Sequence, residues 1–171
     1  MVVGILLSLY ASMSSAVQAF RERTLVIVKP DGVQRGLVGR VVSRFEKTGF
    51  KLVAMKFLQA TEEAVKKHYE ELSESPFFPA LIKYMQTGPI VVMVWEGKDI
   101  VKRGRAIIGG TEPLRSSPGT IRGDYGIVTV RKVVHASDSL ESSKREIDLW
   151  FSNTEVFPWH QELDDWLNKE N

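Results

Sequence analysis

Cysteine is absent from all 171 residues, so the chain can form neither a disulfide nor a thiolate metal centre. The three histidines, His68, His135 and His160, lack ligand-like spacing, which argues against a structural zinc site; no protein-held metal is expected. No glycine-rich P-loop pattern occurs, so any bound phosphate must be held by other means. Charge is nearly balanced, with a formal net charge of +2, and no basic run alternates with aromatics, so a nucleic-acid partner is not expected. There is no internal repeat. With 43% hydrophobic and 26% charged residues, the chain is long enough for one substantial core.

Charged side chains are also missing from Met1–Phe20, where Val2, Val3, Ile5, Leu6, Leu7, Leu9 and Tyr10 are concentrated before Arg21, Glu22 and Arg23 restore polarity. This sets an extension over 1–22 apart from a domain over 23–171. The apolar part is short for a membrane span of about 20 residues. A signal peptide fits the length, with Val17 and Ala19 flanking a cleavage site, but lacks a positive n-region. An uncleaved membrane anchor fits the apolar stretch and the arginines beyond it, and is the preferred reading; a disordered extension is the plain alternative.

Alternating strand-like and helical segments with short connections fill the rest. Thr24–Lys29 reads as a strand and Val38–Lys47 as a helix stopped at Gly49. Leu52–Leu58 is a second strand, Thr61 caps a helix running to Leu72, and Ser75 with Pro76 opens another, closed by Gly88 before the strand Ile90–Trp95. Asp99 starts a further helix, and Gly109–Gly119 is the longest irregular segment. The β-α-β-α-β-α-β pattern suits a sheet with helices packed on it.

The most informative stretch is Val134–Ser142. The run Val128–Val134 is rich in β-branched residues, while Leu140, Ile147, Trp150 and Phe151 recur at helical spacing, so His135 is expected just before a helix whose capping box is Asp138 with Glu141. Unpaired N–H groups at such a helix start favour anions. A neutral imidazole, with an unperturbed pKa of about 6.5, is a competent nucleophile near neutral pH. Attack on a γ-phosphate would give a phosphohistidine and split transfer between two nucleotides into two similar half-reactions. Taken alone, one histidine is more often a structural residue. Lys29, Arg105, Phe77 and Glu146 each have an equally plain reading as a strand end, a solvated helix face, a core aromatic and a surface carboxylate.

The company His135 keeps changes the balance. Read with Thr24–Gly39 (TLVIVKPDGVQRGLVG), Pro76–Tyr84 (PFFPALIKY), Gly88–Gly97 (GPIVVMVWEG) and Pro118–Asp124 (PGTIRGD), it closely resembles the nucleoside diphosphate kinase family over roughly Arg23–Trp166. The resemblance implies a ferredoxin-like α/β sandwich, with a four-stranded antiparallel sheet and helices packed on it, and usually a hexamer. It makes His135 the phosphate-accepting nucleophile, with Glu146 and Ser137 holding its ring. Lys29 matches the lysine that reaches the ribose 3′-hydroxyl and phosphates, and Tyr69 a tyrosine beside it. Arg105, Thr111 and Arg122 match the groups that hold the phosphate chain, and Phe77 the aromatic on which the base stacks. Substrates would be ATP and other nucleoside tri- and diphosphates, with Mg²⁺ carried mainly by the nucleotide's own phosphates.

Two departures stand out. Where the family has Gly-Arg-Asn, this chain has Val130, Arg131 and Lys132. The Asn amide bonds a ribose hydroxyl, so Lys132 is expected to take over that contact or to depress the histidine pKa by its charge. Val130 would be strained wherever the backbone needs positive φ. Ala136, where glycine is commonest, is a smaller change, and the LNKEN tail after Trp166 departs from a more usual ending. Some family members with a hydrophobic N-terminus sit on mitochondrial membranes. The expected protein is therefore an intracellular phosphotransferase, cytoplasmic or membrane-attached, and the alternative is a membrane-tethered oligomeric nucleotide-binding scaffold with weak turnover.

Overall fold

The computed structural model describes residues 22–128 and 131–162; expectations for Met1–Phe20, Val130 and the tail after Trp166 fall outside the described residues. Four strands, β1 (Glu22–Val28), β2 (Lys51–Leu58), β3 (Ile90–Gly97) and β4 (Val134–Ala136), form one sheet in the order β2-β3-β1-β4 with every pairing antiparallel. The sequence pattern does not reveal this order. The ferredoxin-like α/β sandwich with a four-stranded antiparallel sheet is thereby borne out.

The central strands read as unbroken apolar runs because both of their faces are covered. Successive strand residues point to opposite faces. Leu25 and Ile27 join Val92, Val94, Val65, Ile82 and Met85 in one core. Val26 and Val28 join Met93, Trp95, Val41, Phe45, Ile100 and Ile108 in the other. One layer of helices is thus α3 (Glu62–His68), α4 (Phe78–Met85) and α7 (Leu140–Trp150), and the other is α2 (Val38–Glu46), α5 (Ile100–Ile108) and α6 (Ile121–Tyr125).

Several boundaries differ from the sequence expectation, each for a local reason. The helix begun at Thr61, whose hydroxyl accepts from Ala64 N–H at 3.2 Å, ends at His68, and a separate 3₁₀ turn covers Glu70–Leu72. Ser75 is not the cap of α4: it sits in a turn whose carbonyl accepts from Phe78 N–H, and Phe77 takes the cap position. The β-rich run does not form a strand to Val134. Strand β4 covers only Val134–Ala136, preceded by an isolated bridge between Val128 and Arg131. His135 therefore lies inside a strand, not at a helix start. Nor is Asp138 the cap of α7, because Ser139 Oγ accepts from Ser142 N–H at 3.0 Å while Asp138 accepts from the Ser142 hydroxyl. Gly49 is borne out as a stop, with φ at +82°.

Candidate active site

Register decides which way His135 points. It pairs with Ile27 across β1–β4, and directly opposed residues of an antiparallel pair share a face. His135 thus sits on the side of α3 and α7, while its neighbours Val134 and Ala136 are buried in the opposite core. On α7, helical spacing lines up Ser143, Glu146 and Trp150 as the buried stripe. Ser143 Oγ donates to the Arg23 carbonyl at 2.6 Å, docking this stripe against β1.

Glu146, far from a surface residue, is buried against the histidine. His135 Nε2 lies 3.1 and 3.0 Å from its two oxygens, and Ser137 Oγ donates to it at 2.7 Å. Ser137 is itself fixed by the strand, since its hydroxyl accepts from Leu25 N–H at 3.1 Å and its own N–H donates to the Leu25 carbonyl at 3.1 Å. An ionised carboxylate only accepts, so Nε2 carries the proton and Nδ1 keeps its lone pair. The imidazole is 18% exposed. Its pKa is held well below the ordinary value by burial first, then by Lys29, Arg122 and Arg105, which leaves the ring neutral near pH 7. The expectation that Lys132 depresses this pKa is not the main effect; Lys132 acts visibly on Lys29.

Lys29, only 6% exposed, directly follows β1 and carries a pKa lowered to about 7, by burial first and then by Arg122 and Lys132. Its ammonium lies 5.6 Å from the Tyr69 ring centroid, and the Tyr69 ring is 6.1 Å from His135. Burial raises the Tyr69 hydroxyl above its ordinary value. Lys29 caps the short helix α1 (Pro30–Gln34), and Gly32 lets that helix approach Val133 closely, since a Cβ there would meet the Val133 carbonyl oxygen at 2.9 Å. Asp31 then accepts from Val133 N–H at 3.2 Å and from the Tyr84 hydroxyl, while Lys29 N–H donates to the Val133 carbonyl at 2.8 Å. The lysine and histidine segments are clamped together by these bonds.

Arg122 is buried, with Nη1 donating to the carbonyls of Gly109 and Gly110 at 3.2 and 2.9 Å and Nη2 to Val134 at 3.0 Å. Burial and Arg105 lower its pKa to about 10, which still leaves it charged. Arg105 donates to the Ala136 carbonyl at 3.3 Å. Lys132 is half-buried and its pKa is lowered by burial, then by Arg122. Thr111 lies exposed in the loop after α5, and Phe77 is 55% exposed at the start of α4. The fold thus gathers Lys29, Tyr69, Glu146, Ser137, Arg105 and Arg122 around His135. Thr111 and Phe77 lie at the surface.

A model of the nucleoside diphosphate kinase family matches residues 22–156. The chain belongs to that family. It is 56% identical over 147 residues to a nucleoside diphosphate kinase of Ginglymostoma cirratum, covering 86% of this chain and 97% of that one. It is 54% identical over 149 residues to nucleoside diphosphate kinase B of Bos taurus, covering 87% and 98%. Among solved structures it is similar to a nucleoside diphosphate kinase of Halobacterium salinarum in complex with CDP, with a TM-score of 0.84, 42% identity and coverage of 86% and 99%. A family protein from Babesia bovis matches with a TM-score of 0.83, 45% identity and coverage of 85% and 99%.

Beyond the family residues, sequence reasoning missed His68. It is buried at the end of α3, and its ring meets His135 edge to face with centroids 4.6 Å apart. Sixty-odd residues of separation hide this contact, and the only signal was its adjacency to Tyr69. The expectation of strain at Val130 lies outside the described residues, but the same loop does carry a β-branched residue at positive φ, Val133 at +62°.

Proposed function

We propose that this nucleoside diphosphate kinase transfers the terminal phosphate of a nucleoside triphosphate, typically ATP, to a nucleoside diphosphate in a reversible ping-pong reaction through His135. The observation that carries this reading is the Nε2–H of His135 held on Glu146, which leaves Nδ1 with a lone pair beside a buried lysine and two arginines. Nδ1 attacks the γ-phosphorus, and the bond to the bridging oxygen breaks with its electron pair leaving on the diphosphate. A second diphosphate reverses the step. Glu146 and Ser137 hold the ring throughout, and the Nε2 proton never needs to leave.

Phosphoryl transfer needs positioning and charge more than covalent help. Lys29, Arg105 and Arg122 supply positive charge, with Lys132 and Thr111 completing the phosphate and ribose contacts and Tyr69 beside Lys29. The Nε of Arg122 and the Tyr69 hydroxyl are buried with no hydrogen-bond partner among the described residues, as suits groups whose partner is a ligand. Phe77 offers an exposed π-face for the base, which accepts any base. The groups around the nucleophile are mainly cations, and Glu146 is committed to His135 and Ser137, so this donor set suits Mg²⁺ brought in on the nucleotide's phosphates, not a protein cage. When bound, Mg²⁺ offsets phosphate charge.

The hexamer implied by the family resemblance is consistent with β2, an edge strand that leaves Met55 and Phe57 exposed, and with exposed Leu114 and Ile127. No helix among the described residues is long and apolar enough to cross a membrane. Attachment to a membrane, the mitochondrial outer membrane included, would rest on Met1–Phe20, and flotation of the full chain with vesicles tests it. The weakly active scaffold is not favoured, because the cations gather around a neutral, oriented histidine.

Incubation with terminally labelled ATP is expected to label His135, CDP to discharge the label, and His135→Ala to abolish both. Label that CDP cannot remove would contradict the reading.

A further inference from the structure

His68 has no part in the reaction just described, yet it forms the inner wall of the nucleophile's surroundings. Its ring meets His135 with planes at 78° and meets Tyr69 at 4.5 Å and 85°. One ligand-type atom from each of His68, His135 and Glu146 lies within 4.8 Å of the other two. The indole Nε1–H of Trp150 donates to His68 Nδ1 at 3.2 Å. An indole nitrogen can only donate, so Nδ1 holds the lone pair and a neutral ring carries its proton on Nε2. Burial, with His135 next in effect, pushes the His68 pKa down to about 3, which keeps the ring neutral. Its Nε2 is buried with no hydrogen-bond partner among the described residues. A buried unpaired donor is unfavourable for folding, and such groups in native structures call for an explanation.

The same tautomer argues against a divalent cation held by the three side chains. A metal-bound imidazole donates its second N–H outward, whereas the outward nitrogen of His68 accepts from Trp150. What the geometry does supply is a rigid, uncharged ring pressed on the imidazole that must keep one orientation. Rotation of His135 about its side-chain bonds would take Nε2 off Glu146 and withdraw the Nδ1 lone pair from the phosphate.

We propose that His68 is a positioning residue for the phosphoryl relay: a neutral ring locked by Trp150 that packs on His135 and keeps its Nε2 on Glu146 and its Nδ1 unprotonated. The consequence for rate rests on the phosphohistidine reading above; the claim about ring orientation does not.

The test uses the full chain with ¹⁵N-labelled histidine. In the wild-type protein, both His68 and His135 are expected as single Nε2-protonated tautomers. A His68 protonated at Nδ1 would overturn the proposal without any variant. In His68→Asn the His135 signals are expected to report mixed tautomers. The saturating single-turnover rate of labelling by ATP, per folded molecule, should fall about tenfold or more, because misoriented reacting groups lose their proximity advantage. The ATP concentration for half-maximal labelling should stay within about twofold, since His68 is not placed on the nucleotide. His68→Phe keeps a packing ring and is expected to recover most of the rate and the single His135 tautomer. An Asn variant with wild-type rate and tautomer, parallel loss of ATP binding and rate, or a Phe variant that recovers neither would each refute the positioning role. Should the wild-type protein take no label, the phosphohistidine reading falls, while the nitrogen spectra still decide whether His68 orients the ring.

Discussion

Glu146 meets His135 at 3.0 Å across eleven residues of chain, joining the middle of α7 to the middle of β4. That bond selects which imidazole nitrogen is available, because the carboxylate can only accept. The Ser137 hydroxyl on the same oxygen holds the carboxylate against strand β1. The carboxylate and the imidazole are therefore one unit, carried by a strand of the sheet and a helix packed on it.

Glu146→Gln is expected to keep the fold and slow the labelling of His135. The neutral amide weakens a hydrogen bond of the charged class, worth about 1.5–3 kcal/mol, so the single-turnover rate should drop on the order of tenfold to a hundredfold. Rapid-quench measurement with labelled ATP checks this. A rate within about twofold of wild type would show that the carboxylate does not set the tautomer.

Ser137→Ala removes a buried hydroxyl that serves Leu25 N–H and Glu146 together. Leaving these groups unsatisfied should destabilise the protein by about 1–3 kcal/mol, read from the shift in urea midpoint at unchanged slope.

Lys29 makes stability depend on pH in a defined direction. Its pKa is about 7 in the folded chain against an ordinary 10.5. Between these values the unfolded chain binds the extra proton, so this group's contribution to stability rises with pH across that window and is lost as pH falls through 7. Lys29→Met should flatten that rise in denaturant titrations from pH 7 to 10. Nucleotide phosphate should also draw a proton back onto Lys29, so ATP binding near pH 8 is expected to take up protons. Calorimetry in buffers of different ionisation enthalpy reads the uptake, and Lys29→Met should abolish it.

Lys132→Asn tests the departure from the family pattern. Because Lys132 helps to lower the Lys29 pKa, the replacement should raise that pKa and reduce proton uptake on ATP binding. The exchange rate should increase if the lysine is a poor substitute for the ribose-binding amide. An unchanged or lower rate would show that Lys132 has taken over the contact.

Much of this was readable from order along the chain. Leu25–Val28 and Ile90–Trp95 are β-rich and apolar without interruption, which marks strands covered on both faces, and all of them prove buried. Gly49 announced the end of α2. The cations proposed to bind phosphate were legible only as a set of motifs, since Lys29 and Arg105 taken singly read as a strand end and a solvated helix face.

Local chemistry thus determined most of the strands and helices, because periodicity and turn residues act over a few positions, while the candidate site residues were legible through the family motifs. Tertiary structure alone decided the order β2-β3-β1-β4, the face on which His135 projects, and the burial of Glu146. It also decided that Val133 holds φ at +62° between Asp31 and Lys29, and that His68 lies against His135. These outcomes depend on hydrogen bonds and ring contacts between residues far apart in the chain, and they exist only once the helices have closed over both faces of the sheet.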